Sequence, residues 1–132
     1  MQSAWQGGIA AYRDTHVGGA HAASPHAVVT MLLDGALTRL STARGHLLRG
    51  AVAAKAGDLS RALAIVESLR LALDRQRGGD IARNLEDLYE YVALRITEGN
   101  LHNATGPLDE AASLLREVRS AWSAISPDAS RP

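Results

Sequence analysis

Residues 24–50 read SPHAVVTMLLDGALTRLSTARGHLLRG, and this stretch decides the fold. Ser24 followed by Pro25 is a helix start. A serine hydroxyl accepts from the unpartnered amides of the first turn, and a proline there loses no hydrogen bond. Behind them Val29, Leu33, Ala36, Leu40, Ala43 and Leu47 recur in steps of four and three. That spacing draws one apolar stripe along a helix, and a single stripe must be buried against other elements. The stripe fades between Gly50 and Gly57.

The pattern repeats to the end of the chain. Asp58 reads as the cap of a second helix, whose stripe is Leu59, Ala62, Val66, Leu69 and Leu73. Arg75, Gln76 and Arg77 followed by Gly78 and Gly79 read as a stop. Asp80 opens a third helix with Ile81, Leu85, Leu88 and Val92 on one face, weakened at Gly99-Asn100. Thr105-Gly106-Pro107 is a break and a new start. Leu108, Ala111, Leu115, Val118, Trp122 and Ile125 then form a fourth stripe, closed by Ser126-Pro127. Four such helices with short connections predict an all-α fold, an antiparallel four-helix bundle. The expected division is an N-terminal cap segment over 1–23, the bundle over 24–126 and a frayed tail over 127–132. The cap segment is rich in Gly and Ala, is punctuated by Gly7-Gly8 and Gly18-Gly19, and reads as mobile with a short helical stretch around Ile9 and Tyr12.

Composition agrees with this class. Hydrophobic residues make up 46% of the 132 residues, aromatic residues 4%, and Phe is absent. The core is therefore built from Leu, Ala, Val and Ile, of which Leu and Ala are strong helix formers. Fourteen basic and fourteen acidic residues cancel, which gives no electrostatic case for nucleic-acid binding. Cys is absent, so disulfides and thiolate metal sites are excluded. No signal pattern and no membrane-spanning apolar run are present, and the expected location is the cytoplasm.

Few residues invite catalysis. His16, His21 and His26 are five apart, which puts them on different faces of any helix and makes them incidental. Glu98 and His102 could share a face, but a di-metal bundle needs Glu-x-x-His motifs and the chain has none. No metal, no cofactor and no enzymatic activity are expected. The alternative reading is His46-Leu47-Leu48-Arg49-Gly50. It is similar to the phosphoacceptor motif of histidine phosphotransfer domains, which are also four-helix bundles, with Arg49 where Lys is usual.

Three stretches together resemble the flagellin-specific export chaperone family. The first is Tyr12 followed by ASPHAVVTMLLDGAL over 23–37. The second and most specific is GGDIARNLEDLYEYVALRI over 78–96, and the third is 114–125 with Trp122. Leu33 stands where the family usually has Tyr. The resemblance implies a cytoplasmic chaperone that binds the C-terminal segment of flagellin. It would block premature polymerisation and assist delivery to the type III export apparatus. An export-gate component and other flagellar regulators are further implied partners, and no nucleic acid or membrane insertion is implied.

A chaperone of this kind must expose apolar surface beside its core, as a groove for an amphipathic helix. The residues expected to supply groove or cap are Ile9, Tyr12, Leu32, Leu37, Asn84, Tyr91 and Ile96. Val28, Leu48, Ile65 and Ala72 belong to the same secondary stripes. Tyr89 and Tyr91 are two apart and point about 200° apart, so one packs inward and the other outward. Trp122 continues the fourth stripe and is expected as a core anchor.

Overall fold

The computed structural model describes residues 24–125. The expected cap segment 1–23, with Ile9 and Tyr12, and the expected tail 127–132 lie outside the described residues. Four helices follow one another: α1 (Pro25–Leu48), α2 (Val52–Leu71), α3 (Arg75–His102) and α4 (Thr105–Ser123). The links over 49–51, 72–74 and 103–104 are too short for anything but antiparallel neighbours. α1 packs on α2 and α4, and α3 packs on the same two. The four-helix bundle expected from the stripes is the observed architecture.

α1 begins as read. The Ser24 hydroxyl accepts from the Ala27 amide at 3.1 Å, with Pro25 in the first helical position. Leu33, Ala36, Leu40 and Ala43 are buried. α2 differs from its expectation. It starts at Val52, and Asp58 is not its cap but lies inside the helix, 4% exposed. Gly50, with φ 75°, makes the turn after α1. The Ala- and Lys-containing run 52–56 is then good helix former and carries α2 through Gly57. α1 and α2 share the most extensive interface. Ala36, Ala43 and Ala62 line its buried side and let the two backbones approach.

α3 has a break where the glycine pair was read as a stop. Asp74 caps a first turn by accepting from the Arg77 amide at 3.1 Å. Gly79 then takes φ 52° and ψ −123°, outside helical geometry, and the helix resumes at Asp80. Its inner line is Ala82, Tyr89, Val92, Ile96 and Gly99. Ile81, expected in the core, is 71% exposed. It stands about five turns before Gly99 on the same side of the helix, but at its level the bundle has opened into a cavity. Gly99-Asn100 does not weaken α3. A Cβ at Gly99 would lie 2.6 Å from Leu108 Cδ2, so the missing side chain is what lets α4 close in. Asn103, in the left-handed region at φ 50°, ends the helix.

In α4 Leu108, Ala111 and Leu115 are buried, Val118 and Trp122 pack at the edge of the core, and Ile125 is exposed. Each fully buried Leu contributes about 1.5–3 kcal/mol. Leu33, Leu40, Leu59, Leu108 and Leu115, with Ile96, therefore dominate the packing.

Candidate functional site

Antiparallel connectivity brings four helix termini to one end of the bundle: the starts of α1 and α3 and the ends of α2 and α4. They enclose a cavity of about 430 Å³. Val29, Leu69, Leu85, Tyr89, Val118 and Trp122 form its apolar wall, while Asp74 and Arg77 stand among its few charged neighbours. Ile81 and Ile125 also line it and are exposed. Large apolar side chains open to solvent in a concave setting are the usual signature of a binding site. Tyr89 is 3% exposed, and burial pushes its hydroxyl up to about 12, so it stays neutral.

Beside the cavity, α1 and α4 are tied by a reciprocal contact between chain positions far apart. The Trp122 indole N–H donates to the His26 carbonyl at 3.0 Å, and His26 Nε2 lies 3.1 Å from the Trp122 carbonyl. With the tautomer protonated on Nε2, that second contact is also a hydrogen bond. The rings stack at 4.8 Å with 14° between planes. His26, read as incidental, is thus a clasp between α1 and α4. The sequence held a usable signal for it. A ring beside the first turn of α1 and a Trp in the last turn of α4 come to the same level of an antiparallel bundle. Trp122 packs against the core as expected, and in addition lines the cavity.

The structure does not gather the other expected site residues into one patch. Leu32 and Leu37 are half-buried on opposite flanks of the α1 stripe. Asn84 and Tyr91 lie on the outer side of α3, and Leu94 and Leu101 continue that side as exposed apolar residues. Tyr91 is 41% exposed, and its hydroxyl donates to Glu110 Oε2 at 2.8 Å. The Tyr91 hydroxyl and then Arg95, donating to Oε1 at 2.6 Å, hold the Glu110 carboxyl below the usual range. Ile96 is a correction. It is fully buried in the core, because residues 92, 96 and 99 face inward on α3. Among the secondary-stripe residues Val28 is buried, Ile65 half-buried, and Leu48 and Ala72 exposed.

The opposite end of the bundle holds charges that periodicity missed. Asp58 accepts from His46 Nδ1 at 2.8 Å and from Arg39 Nη1 at 3.4 Å, with Arg61 at 3.9 Å. Against a carboxylate that nitrogen carries the proton. Lys55, 2% exposed, donates to the Asn100 carbonyl at 3.0 Å and to its side-chain oxygen at 2.7 Å. A cation there meets the negative end of the α3 dipole. His46 is therefore a half-buried member of a charge cluster joining α1 to α2. Arg49 of the same motif folds back over Gly45, within 3.2 Å of where a Cβ would stand. Among the described residues there is no group of three metal-ligating side chains, and no helix is long and apolar enough to cross a membrane.

The family description "Flagellar protein FliS" matches residues 8–129. The chain is 42% identical over 125 residues to the Flagellar secretion chaperone FliS of Salmonella typhimurium, covering 93% of each protein. It is 44% identical over 104 residues to Flagellar secretion chaperone FliSB of Pseudomonas aeruginosa, covering 79% of this chain and 82% of that one. To the FliS chaperone of Vibrio cholerae it is 39% identical over 124 residues, covering 93% and 91%. With a match that runs from residue 8 through all four helices, the chain belongs to the FliS family of flagellar secretion chaperones.

Proposed function

We propose that this chaperone binds the C-terminal segment of flagellin in the cytoplasm, prevents its premature polymerisation and assists its delivery to the type III export apparatus. The observation that carries the reading is the open apolar cavity at the end of the bundle, in a chain of the flagellar secretion chaperone family. A flagellin tail that forms helices in the filament presents apolar stripes, and such stripes associate when left exposed. The cavity and the outer side of α3 supply apolar surface for them in the helix-in-groove mode. In this reading Trp122, Ile81 and Leu85 anchor one helical turn, and Asn84, Tyr91 and Leu94 guide the segment along α3. Leu32 and Leu37 serve as flanking contacts, and the cap segment with Ile9 and Tyr12 covers the apolar surface in the free protein. An export-gate component and other flagellar regulators are further partners.

The family is one of chaperones, not enzymes, and the phosphotransfer reading of His46 is dropped. Co-purification tests the proposal. Full-length flagellin should be retained by this protein and flagellin lacking its C-terminal segment should not. Equal retention of both would overturn it.

A further inference from the structure

One wall of the cavity is built unlike the others. Residues 75–78 form a single helical turn between the link 72–74 and Gly79. Gly79, at φ 52° and ψ −123°, has backbone angles essentially confined to glycine, while a Cβ there would meet nothing within 4 Å. Conformation, not crowding, calls for glycine at this joint. Arg75, Gln76 and Arg77 are all exposed, so the turn carries no apolar anchor of its own. Its side-chain tie to the body of α3 is Glu86, which accepts from Arg75 Nε at 3.2 Å and Nη2 at 2.5 Å. Arg70 of α2 holds the same carboxylate at 3.2 Å. Ion pairs this exposed hold weakly. Arg77 and Gly78 of this segment line the cavity, as does Asp74 of the link before it.

The volume gives such a wall a use. One turn of helix, about 10 Å across and 5.4 Å long, fills on the order of 400 Å³. The cavity of about 430 Å³ is therefore about one turn in size and opens to solvent. We infer that residues 75–78 are a hinged wall, pivoting at Gly79 and latched by Glu86, that swings aside and widens the cavity as a helical segment enters. This rests on the flagellin reading for its ligand, but not for its motion.

Hydrogen exchange by mass spectrometry on the ligand-free protein tests the motion. Amides of 75–79 should exchange much faster than those of 82–99. Glu86→Ala should speed the first group about two- to fivefold and leave the second unchanged. Equal protection of both segments, or no response to Glu86→Ala, overturns the hinge. Stopped-flow mixing with a flagellin C-terminal peptide tests the gate. Glu86→Ala should raise the association rate about two- to fivefold, and an unchanged rate overturns the gating role. A peptide that binds neither protein, with local exchange as expected, leaves the hinge standing and removes the flagellin reading instead.

Discussion

Gly99 has no side chain, and Leu108 fills the space one would take. Gly99→Ala should lower stability by about 2–3 kcal/mol through overpacking, read as a shift of the urea midpoint. Asp58 is the counterpart on the polar side, a buried carboxylate between His46 and Arg39. Its partners are partly exposed and can turn to water, so Asp58→Ala should cost about 2 kcal/mol, below the range for a fully buried pair. Trp122→Ala should cost about 2–3 kcal/mol, less than a fully enclosed Trp. It should also weaken flagellin binding, since the ring lines the cavity. Unchanged affinity would leave Trp122 a packing residue alone. None of these partnerships is visible in a single stripe. Gly99 read as a weakness and Asp58 as a cap, because each owes its role to a residue on another helix.

At the scale of elements, the stripes of α1 and α4 were legible because their steps hold; Ser24-Pro25 caps α1 as read, whereas α4 starts at Thr105 behind Ala104, which makes no side-chain cap bond. α2 was misread at its start, since Asp58 is a good cap residue and its burial depends on α1. α3 was legible in spacing, but periodicity gives a direction and not a depth: Ile81 points as the inner line does and still meets open space. The contact between α3 and α4 makes a pH prediction. Tyr91 and Arg95 hold the Glu110 carboxyl below its unfolded value of about 4.3. The resulting stability is present above that value and is lost as pH falls through the lower folded one. Glu110→Gln should therefore lower the urea midpoint at pH 7 and make little difference near pH 3. An equal effect at both would assign the role of Glu110 to packing.

For the whole molecule, the bundle could be read from the sequence and the cavity could not. A cavity depends on how far four helix ends stop short of one another, and no stripe records that offset. The expected groove residues were accordingly scattered: Leu32 and Leu37 fell on opposite flanks of α1, and Ile96 fell in the core. The cap proposal concerns the cavity end, where Ser24 precedes α1. If residues 1–20 cover the cavity about nine-tenths of the time, deleting them should tighten flagellin-peptide binding about tenfold, near 1.4 kcal/mol. Equal affinity and equal solubility of the two proteins would contradict the cap. The most direct test of the central claim is calorimetric titration of the flagellin C-terminal peptide into the full chain. One-to-one binding with a negative heat-capacity change from apolar burial is the predicted result. No heat of binding at tens of micromolar, on the order of −6 kcal/mol, would contradict it.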